Sequence, residues 1–258
     1  MLDSPIVVKK RSADTPGRAG PSRRAQPTDP TVLAVRRGHP KALTRASQAE
    51  LNRRRRRRKA SGSLSPRPYN LTISHQHRFV WFRTAKVGTR TILGFLEEQH
   101  PEGLLVLSNV PYPTAAFADY FKFGFVRHPL DRFISAWQNK VCDHNHFHFT
   151  AEQRERMRTI ENFAAWVAEQ DLSDLSTADR HVALQSRLVD LTQIDFLGRM
   201  ETFGPDFSEV CERVGLSWTE PERRNRSEAS GVTRDTASAE LRSIVEETYR
   251  LDYQVFGY

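Results

Sequence analysis

Phe121-Lys122-Phe123-Gly124-Phe125-Val126-Arg127-His128-Pro129-Leu130-Asp131-Arg132-Phe133-Ile134-Ser135-Ala136-Trp137 is the stretch that decides how this chain folds. Its aromatic and apolar start, Phe121–Val126, has the make-up of a buried strand. After the polar Arg127-His128 the periodicity changes, and Phe133, Ile134, Ala136, Trp137 and Val141 fall on one face of a predicted helix. Pro129 suits the first turn of that helix, where its missing N–H costs no hydrogen bond.

A second unit of the same kind lies upstream. Arg78–Arg83 (RFVWFR) reads as a strand, Thr84-Ala85-Lys86-Val87-Gly88-Thr89-Arg90-Thr91 as a small-residue turn, and Ile92-Leu93-Gly94-Phe95-Leu96 has helical spacing. Each unit puts polar residues at the carboxyl end of a strand, where open parallel α/β sheets hold their ligands. Further on, Ile160–Gln170 reads as an amphipathic helix and Asp195–Leu197 as a short strand. Phe203–Val214 reads as a helix ended by Gly215, and Ala237–Leu251 as a long helix before an aromatic tail, Asp252–Tyr258.

Charge and aromatic content divide the chain in two. Of its 39 Lys+Arg and 31 Asp+Glu, residues 1–69 hold 18 and 4, which leaves 21 and 27 for residues 70–258. The net charge of +8 therefore belongs to the front of the chain. None of the 25 Phe, Trp and Tyr residues precedes Tyr69. A segment with that composition cannot bury enough apolar surface to offset its ordering entropy. Residues 1–65 are accordingly expected to be a disordered basic tail, and 66–258 the folded domain. The run Arg53–Lys59 could engage nucleic acid, anionic lipid or an acidic partner, or be a solvated tail. Cys142 and Cys211 make no disulfide framework. No stretch reaches the length of a membrane span, and Met1–Lys10 lacks the apolar core of a signal peptide. The Arg-rich, acid-poor front is faintly like a transit peptide; a cytoplasmic location is the expectation.

The turn Lys86–Thr91 has the make-up of an anion site. Backbone N–H groups and the positive end of the helix dipole converge there, Gly88 admits close approach, Lys86 adds a cation, and Thr89 and Thr91 add hydroxyls. It is not a Walker A loop, because Lys86 precedes Gly88. Taken alone, the turn fits a basic connection without a ligand equally well. Arg127 can grip a phosphate with its planar fork, and Ser135, two turns into the helix, can donate to the same anion; a local ion pair and a surface hydroxyl are the alternatives. Together, two anion sites at neighbouring strand ends fit a nucleoside carrying phosphates at both ends.

The wording of both segments resembles the PAPS-dependent sulfotransferases (PAPS is 3′-phosphoadenosine 5′-phosphosulfate), the carbohydrate sulfotransferase family in particular. Ala85-Lys86-Val87-Gly88-Thr89 is similar to that family's PKVG(C/S)T loop for the 5′-phosphosulfate, and Phe125–Lys140 to its FVRxPxxRxxSAxxNK motif for the 3′-phosphate. Asp179-Arg180-His181-Val182-Ala183-Leu184-Gln185-Ser186 resembles D-x-H-x-x-P-Q-S with Leu184 in place of Pro, and Phe196–Glu201 resembles F-I-G-R/K-x-E. Asn225-Arg226-Ser227 and the ending Tyr249…Asp252-Tyr253…Phe256-Gly257-Tyr258 also match. The resemblance implies a single α/β domain with a central parallel sheet, related to the P-loop nucleotide kinases.

It also implies PAPS as donor, with no metal required. Lys86, Val87, Gly88, Thr89, Arg90 and Thr91 would form the 5′-phosphosulfate loop, Arg127 and Ser135 the 3′-phosphate site, and Asn225 and Ser227 a segment over the nucleotide. Lys86 would neutralise charge on the bridging oxygen. His181, which matches the family's His, is the first choice for general base, with His77 second; His128 could cap or pack. His144, His146 and His148 would share a face in an extended segment, and are expected in a polar loop near the acceptor. The acceptor would be a hydroxyl, on a glycan or glycolipid in the first instance. A nucleotide-dependent kinase, a nucleic-acid-binding protein acting through the tail and a non-catalytic relative stay open as alternatives.

Overall fold

The computed structural model describes residues 64–100, 102–217 and 231–258. One five-stranded sheet organises them: β1 (Tyr69–Ser74), β2 (Phe79–Phe82), β3 (Leu104–Val110), β4 (Phe121–Val126) and β5 (Phe196–Arg199), in spatial order β3-β1-β2-β4-β5. β2, β4 and β5 run parallel, with Phe79 beside Phe121 and Phe123 beside Phe196. β1 runs antiparallel to both β2 and β3. The expected central parallel sheet is present as β2, β4 and β5, and β1 and β3 extend it into a mixed sheet through the antiparallel β1.

Helices cover both faces. They are α1 (Thr89–Gln99), α2 (Pro129–Trp137), α3 (Ala151–Met157), α4 (Ile160–Ala168), α5 (Gln185–Leu188), α6 (Phe203–Val214), α7 (Ala239–Thr248) and α8 (Arg250–Phe256). A wide π-helical turn, Gln138–Asp143, prolongs α2. Alternation along β2 sorts its side chains between two cores. Phe79 and Trp81 pack with Ile92, Phe95 and Leu96 of α1 and Phe207 and Val210 of α6. Val80 and Phe82 face the other way, toward Val189, Leu197, Val255 and Phe256. Strands buried on both faces need continuous apolar runs, which is why FVWF and FKFGFV were legible as strands. A third core joins α2, α3, α4 and α7 through Phe133, Met157, Phe163 and Leu241.

Three boundaries differ from the sequence reading. Ser65, assigned to the tail, is buried, and its N–H donates to the Tyr112 carbonyl at 2.8 Å. The expected helix Ala237–Leu251 breaks at Tyr249 (φ −102°, ψ 18°), and the supposed aromatic tail continues it as α8. Tyr249 is buried and its hydroxyl donates to the Val182 carbonyl at 2.7 Å, so a tertiary bond sets the break. The run Arg53–Lys59, Asn225 and Ser227 lie outside the described residues. No helix among the described residues is long and apolar enough to cross a membrane.

Candidate active site

Because β2 and β4 are parallel neighbours, their carboxyl ends open on the same edge of the sheet. The turn after β2 enters α1 through two left-handed residues, Lys86 (φ 68°) and Gly88 (φ 70°). For lysine that conformation costs roughly 1–2 kcal/mol, a strain that belongs to sites held by their surroundings. A Cβ on Gly88 would lie 2.9 Å from the Met200 Cε. No side chain caps the helix at Gly88, so the first-turn N–H groups of α1 keep their capacity for an anion. Val87 is buried in the core, so only its backbone can face a ligand. The Thr89 hydroxyl donates to the Thr84 carbonyl at 2.8 Å; it closes the turn instead of offering its hydrogen outward.

Cations gather over this turn. Burial, followed by the charges of Lys140, Arg90 and Arg127, brings the Lys86 ammonium down to about 8, with Asp143 acting in the opposite sense. Like charges held around a partly buried ammonium suit the binding of an anion. Ser135 lies on α2, half-buried.

Arg127 is fixed through its backbone. Its N–H donates to Gln185 Oε1 at 3.0 Å, and its carbonyl accepts from Gln185 Nε2 at 2.9 Å. Gln185 is held in turn by Asp252, whose carboxylate accepts from the N–H groups of Gln185 (2.7 Å) and Ser186 (3.0 Å). The next residue, His128, donates its N–H to Glu201 at 2.7 Å, and its ring packs edge-on against Tyr253 and Tyr258. His128 therefore packs, as one of its two expected roles had it.

Arg132 connects the two halves of the site. Fully buried, it donates to the carbonyls of Ala85 (3.1 Å), Ala183 (2.9 Å) and Arg180 (2.9 Å). The carbonyl just before Lys86 is thereby tied to the segment that carries His181.

That segment holds an imidazole–carboxylate–imidazole array. His181 Nδ1 bonds Asp179 Oδ1 at 2.7 Å, His146 Nε2 bonds Asp179 Oδ2 at 2.8 Å, and the two rings meet edge to face at 4.8 Å. The His181 backbone N–H adds a bond to the same carboxylate at 2.8 Å. Burial alone would raise the Asp179 carboxyl; the bonds from His181 and His146 more than reverse this and hold it well below the usual carboxylate range. Burial lowers His181 below the ordinary imidazole value, against the opposite pull of Asp179. With Nδ1 bound to the carboxylate, Nε2 is the basic nitrogen of neutral His181. The donor atoms of His146, Asp179 and His181 lie within 4.8 Å of one another, so the set also has metal-ligand chemistry, but its facing atoms are already hydrogen-bonded.

Of the expected residues, Lys86, Gly88, Thr89, Arg90 and Thr91 share one turn, and the charge of Arg127 bears on Lys86. His181 joins them through Lys140, whose charge bears on both Lys86 and His181. His77 does not join them: it precedes β2, at the opposite end of the strand from Lys86, and its Nδ1 bonds the Val214 carbonyl at 2.7 Å. Among His144, His146 and His148 only His146 reaches Asp179; His148 has φ 56°, so the segment turns and the three do not share a face. Residue-level reading gave no role to Asp179, Gln185, Arg132 and Lys140. All four stood inside the quoted motifs, whereas His146 was expected near the acceptor only through its alternation with His144 and His148.

Comparison with known proteins agrees with this geometry. The chain is similar to carbohydrate sulfotransferase 14 of Danio rerio, with 25% identity over 242 residues, covering 76% of this chain and 65% of the relative. It thus spans less than two thirds of that relative's length. No solved structure matches the chain. A family model described as the sulfotransferase family matches residues 69–258, from the first residue of β1 to the end and across both strand-end turns. With that match over residues 69–258, spanning the basic turn after β2 and the clamped arginine after β4, the chain belongs to the sulfotransferase family.

Proposed function

We propose that the chain moves a sulfuryl group from 3′-phosphoadenosine 5′-phosphosulfate to a hydroxyl of a carbohydrate or glycoconjugate. The observation that carries this reading is the convergence of Lys86, Arg90, Arg127 and Lys140 on an uncapped helix start, beside a histidine held by a carboxylate. Cations at the ends of two adjacent parallel strands suit a nucleotide with anionic groups at both ends. The α1 turn would take the 5′-phosphosulfate, and Arg127 with Ser135 the 3′-phosphate; Asn225 and Ser227 remain assigned over the nucleotide by resemblance alone. The carbohydrate acceptor is carried over from the name of the relative, and a cytoplasmic location stays part of the proposal.

Bound there, the donor supplies a sulfur–oxygen bond that breaks as the acceptor oxygen bonds sulfur, its electron pair leaving on the 5′-phosphate oxygen. Lys86 and the first-turn N–H groups of α1 stabilise charge on that leaving oxygen. His181 takes the acceptor's proton at Nε2, while Asp179 holds the ring and stabilises the imidazolium. No step requires a metal.

The test is transfer of radiolabelled sulfate from PAPS to a panel of unsulfated oligosaccharides by the full chain. Labelled product from the wild type, absent in Lys86→Ala and in His181→Ala, supports the assignment. Full transfer by Lys86→Ala removes Lys86 from its role, and labelling of no acceptor with no conversion of PAPS removes the proposal.

A further inference from the structure

Lys140 ends the motif that begins at Phe125, and the residue-level reading gave it no role. It sits in the π-helical turn Gln138–Asp143 that prolongs α2. Such turns are rare and concentrate at functional sites, because the widened ring re-aims the side chains that follow. Two bonds tie α2 and this turn to the rest of the site. Eight residues before Lys140, Arg132 on α2 donates to Ala85, at the mouth of the anion turn. The Lys140 carbonyl accepts from the N–H of His146 at 3.0 Å, which fixes the residue whose ring lies against His181. The stretch from Arg132 to Lys140 therefore spans the distance from the donor turn to the histidine pair.

The side chain is half-buried, and among the described residues it forms no ion pair. It is the charge that bears most strongly on Lys86. It also bears on His181, as do Asp179 and His146. The ammonium of Lys140 thus carries the same charge as Lys86 and bears on the candidate base as well. An anion placed between the three is attracted by both ammonium groups.

We infer that Lys140 is a further catalytic residue, which donates to the non-bridging oxygens of the sulfuryl group as it passes from the Lys86 turn to the acceptor beside His181. The inference rests on the sulfuryl-transfer reading above. Lys140 makes and breaks no covalent bond and keeps its proton; its part is to neutralise charge on oxygens that adenosine 3′,5′-bisphosphate, the desulfated product, does not have. A lysine that served only the fold would not distinguish the two nucleotides.

Calorimetry on the full chain with PAPS and with adenosine 3′,5′-bisphosphate separates these cases without an acceptor. Lys140→Met is expected to weaken PAPS binding about tenfold while the bisphosphate stays within about twofold, and Lys140→Arg is expected to restore PAPS. A second readout is the titration of the His181 ring by NMR, assigned by loss of its signal in His181→Gln. Removing a neighbouring cation favours the imidazolium, so the His181 midpoint should move to higher pH in Lys140→Met. Equal weakening of both nucleotides, or unchanged PAPS binding, overturns the inference, and so does an unmoved His181 midpoint. If the wild type binds neither nucleotide, the sulfuryl-transfer reading fails and takes this role with it. If the wild type binds both and only the variant contrast is missing, the reading stands and Lys140 alone falls.

Discussion

Gln185 brackets Arg127, accepting from its N–H at 3.0 Å and donating to its carbonyl at 2.9 Å, so that one side chain fixes the peptide groups on both sides of the cation. The arginine's own fork is left for a ligand while its backbone direction is set from a different element. Gln185→Ala leaves two partly buried backbone groups unpaired, each worth about 1–3 kcal/mol when unsatisfied. Binding of adenosine 3′,5′-bisphosphate should weaken about tenfold, or 1.4 kcal/mol. Calorimetry checks this, and unchanged affinity would show that Arg127 does not depend on the clamp.

Arg132 should matter more for folding than for binding. It is buried and satisfies three carbonyls, those of Ala85, Ala183 and Arg180, from segments far apart in sequence. Arg132→Met keeps much of the volume and leaves all three acceptors without a donor. The expected loss is about 3 kcal/mol or more, in line with broken buried networks. Urea denaturation measures it; a loss under about 1 kcal/mol would mean that the segments hold together by packing alone.

Two glycines should respond oppositely to alanine. A Cβ on Gly198 of β5 would lie 2.4 Å from the Phe125 ring of β4, a rigid neighbour, and overpacking of this kind costs about 1–3 kcal/mol. Gly94, inside α1, has no atom within 4 Å of the added carbon, so Gly94→Ala should stabilise by about 0.5–1 kcal/mol. Thermal unfolding of the two variants gives the signs directly, and a stabilising Gly198→Ala would contradict the close approach of β4 and β5.

The pH profile of transfer tests the Asp179–His181 pair. His181 must be neutral to accept a proton, so activity should fall as pH drops through its pKa, which burial places below the ordinary imidazole value. A neighbouring carboxylate favours the imidazolium, so Asp179→Asn lowers the His181 pKa further and moves the acidic limb to lower pH. The plateau should fall about a hundredfold or more, as the ring loses its orientation and its counter-charge. A limb that moves upward, or a plateau that is kept, would take Asp179 out of this role.

What the sequence made legible follows from which contacts are local. FVWF and FKFGFV are buried on both faces, so their own composition marks them as strands, and the turns after them are contiguous in the chain. β3 escaped because it is an edge strand with Leu105 and Val106 exposed, which leaves no clean alternation. β1 pairs antiparallel with partners on both sides, and nothing local in YNLTIS signals that pairing. Lys86 and Arg127 were legible as candidates because each closely follows its own strand. Gln185, Arg132 and His146 act across separations of 58, 47 and 33 residues, and only the folded chain brings those partners together. His77 precedes β2 and so lies at the end of the strand opposite Lys86, bonded to the Val214 carbonyl.

The central claim is that the turn after β2 and Arg127 after β4 hold the two ends of one nucleotide. The most direct measurement is the thermal shift of the full chain with adenosine 3′,5′-bisphosphate, beside ATP, ADP and AMP with Mg²⁺. At 100 times its Kd the bisphosphate should add about 2.7 kcal/mol, or about 5–10 °C, and the shift should vanish in Arg127→Ala. A shift with ATP and Mg²⁺ alone would contradict the account in favour of a nucleotide kinase, and no shift with any nucleotide would remove the nucleotide site.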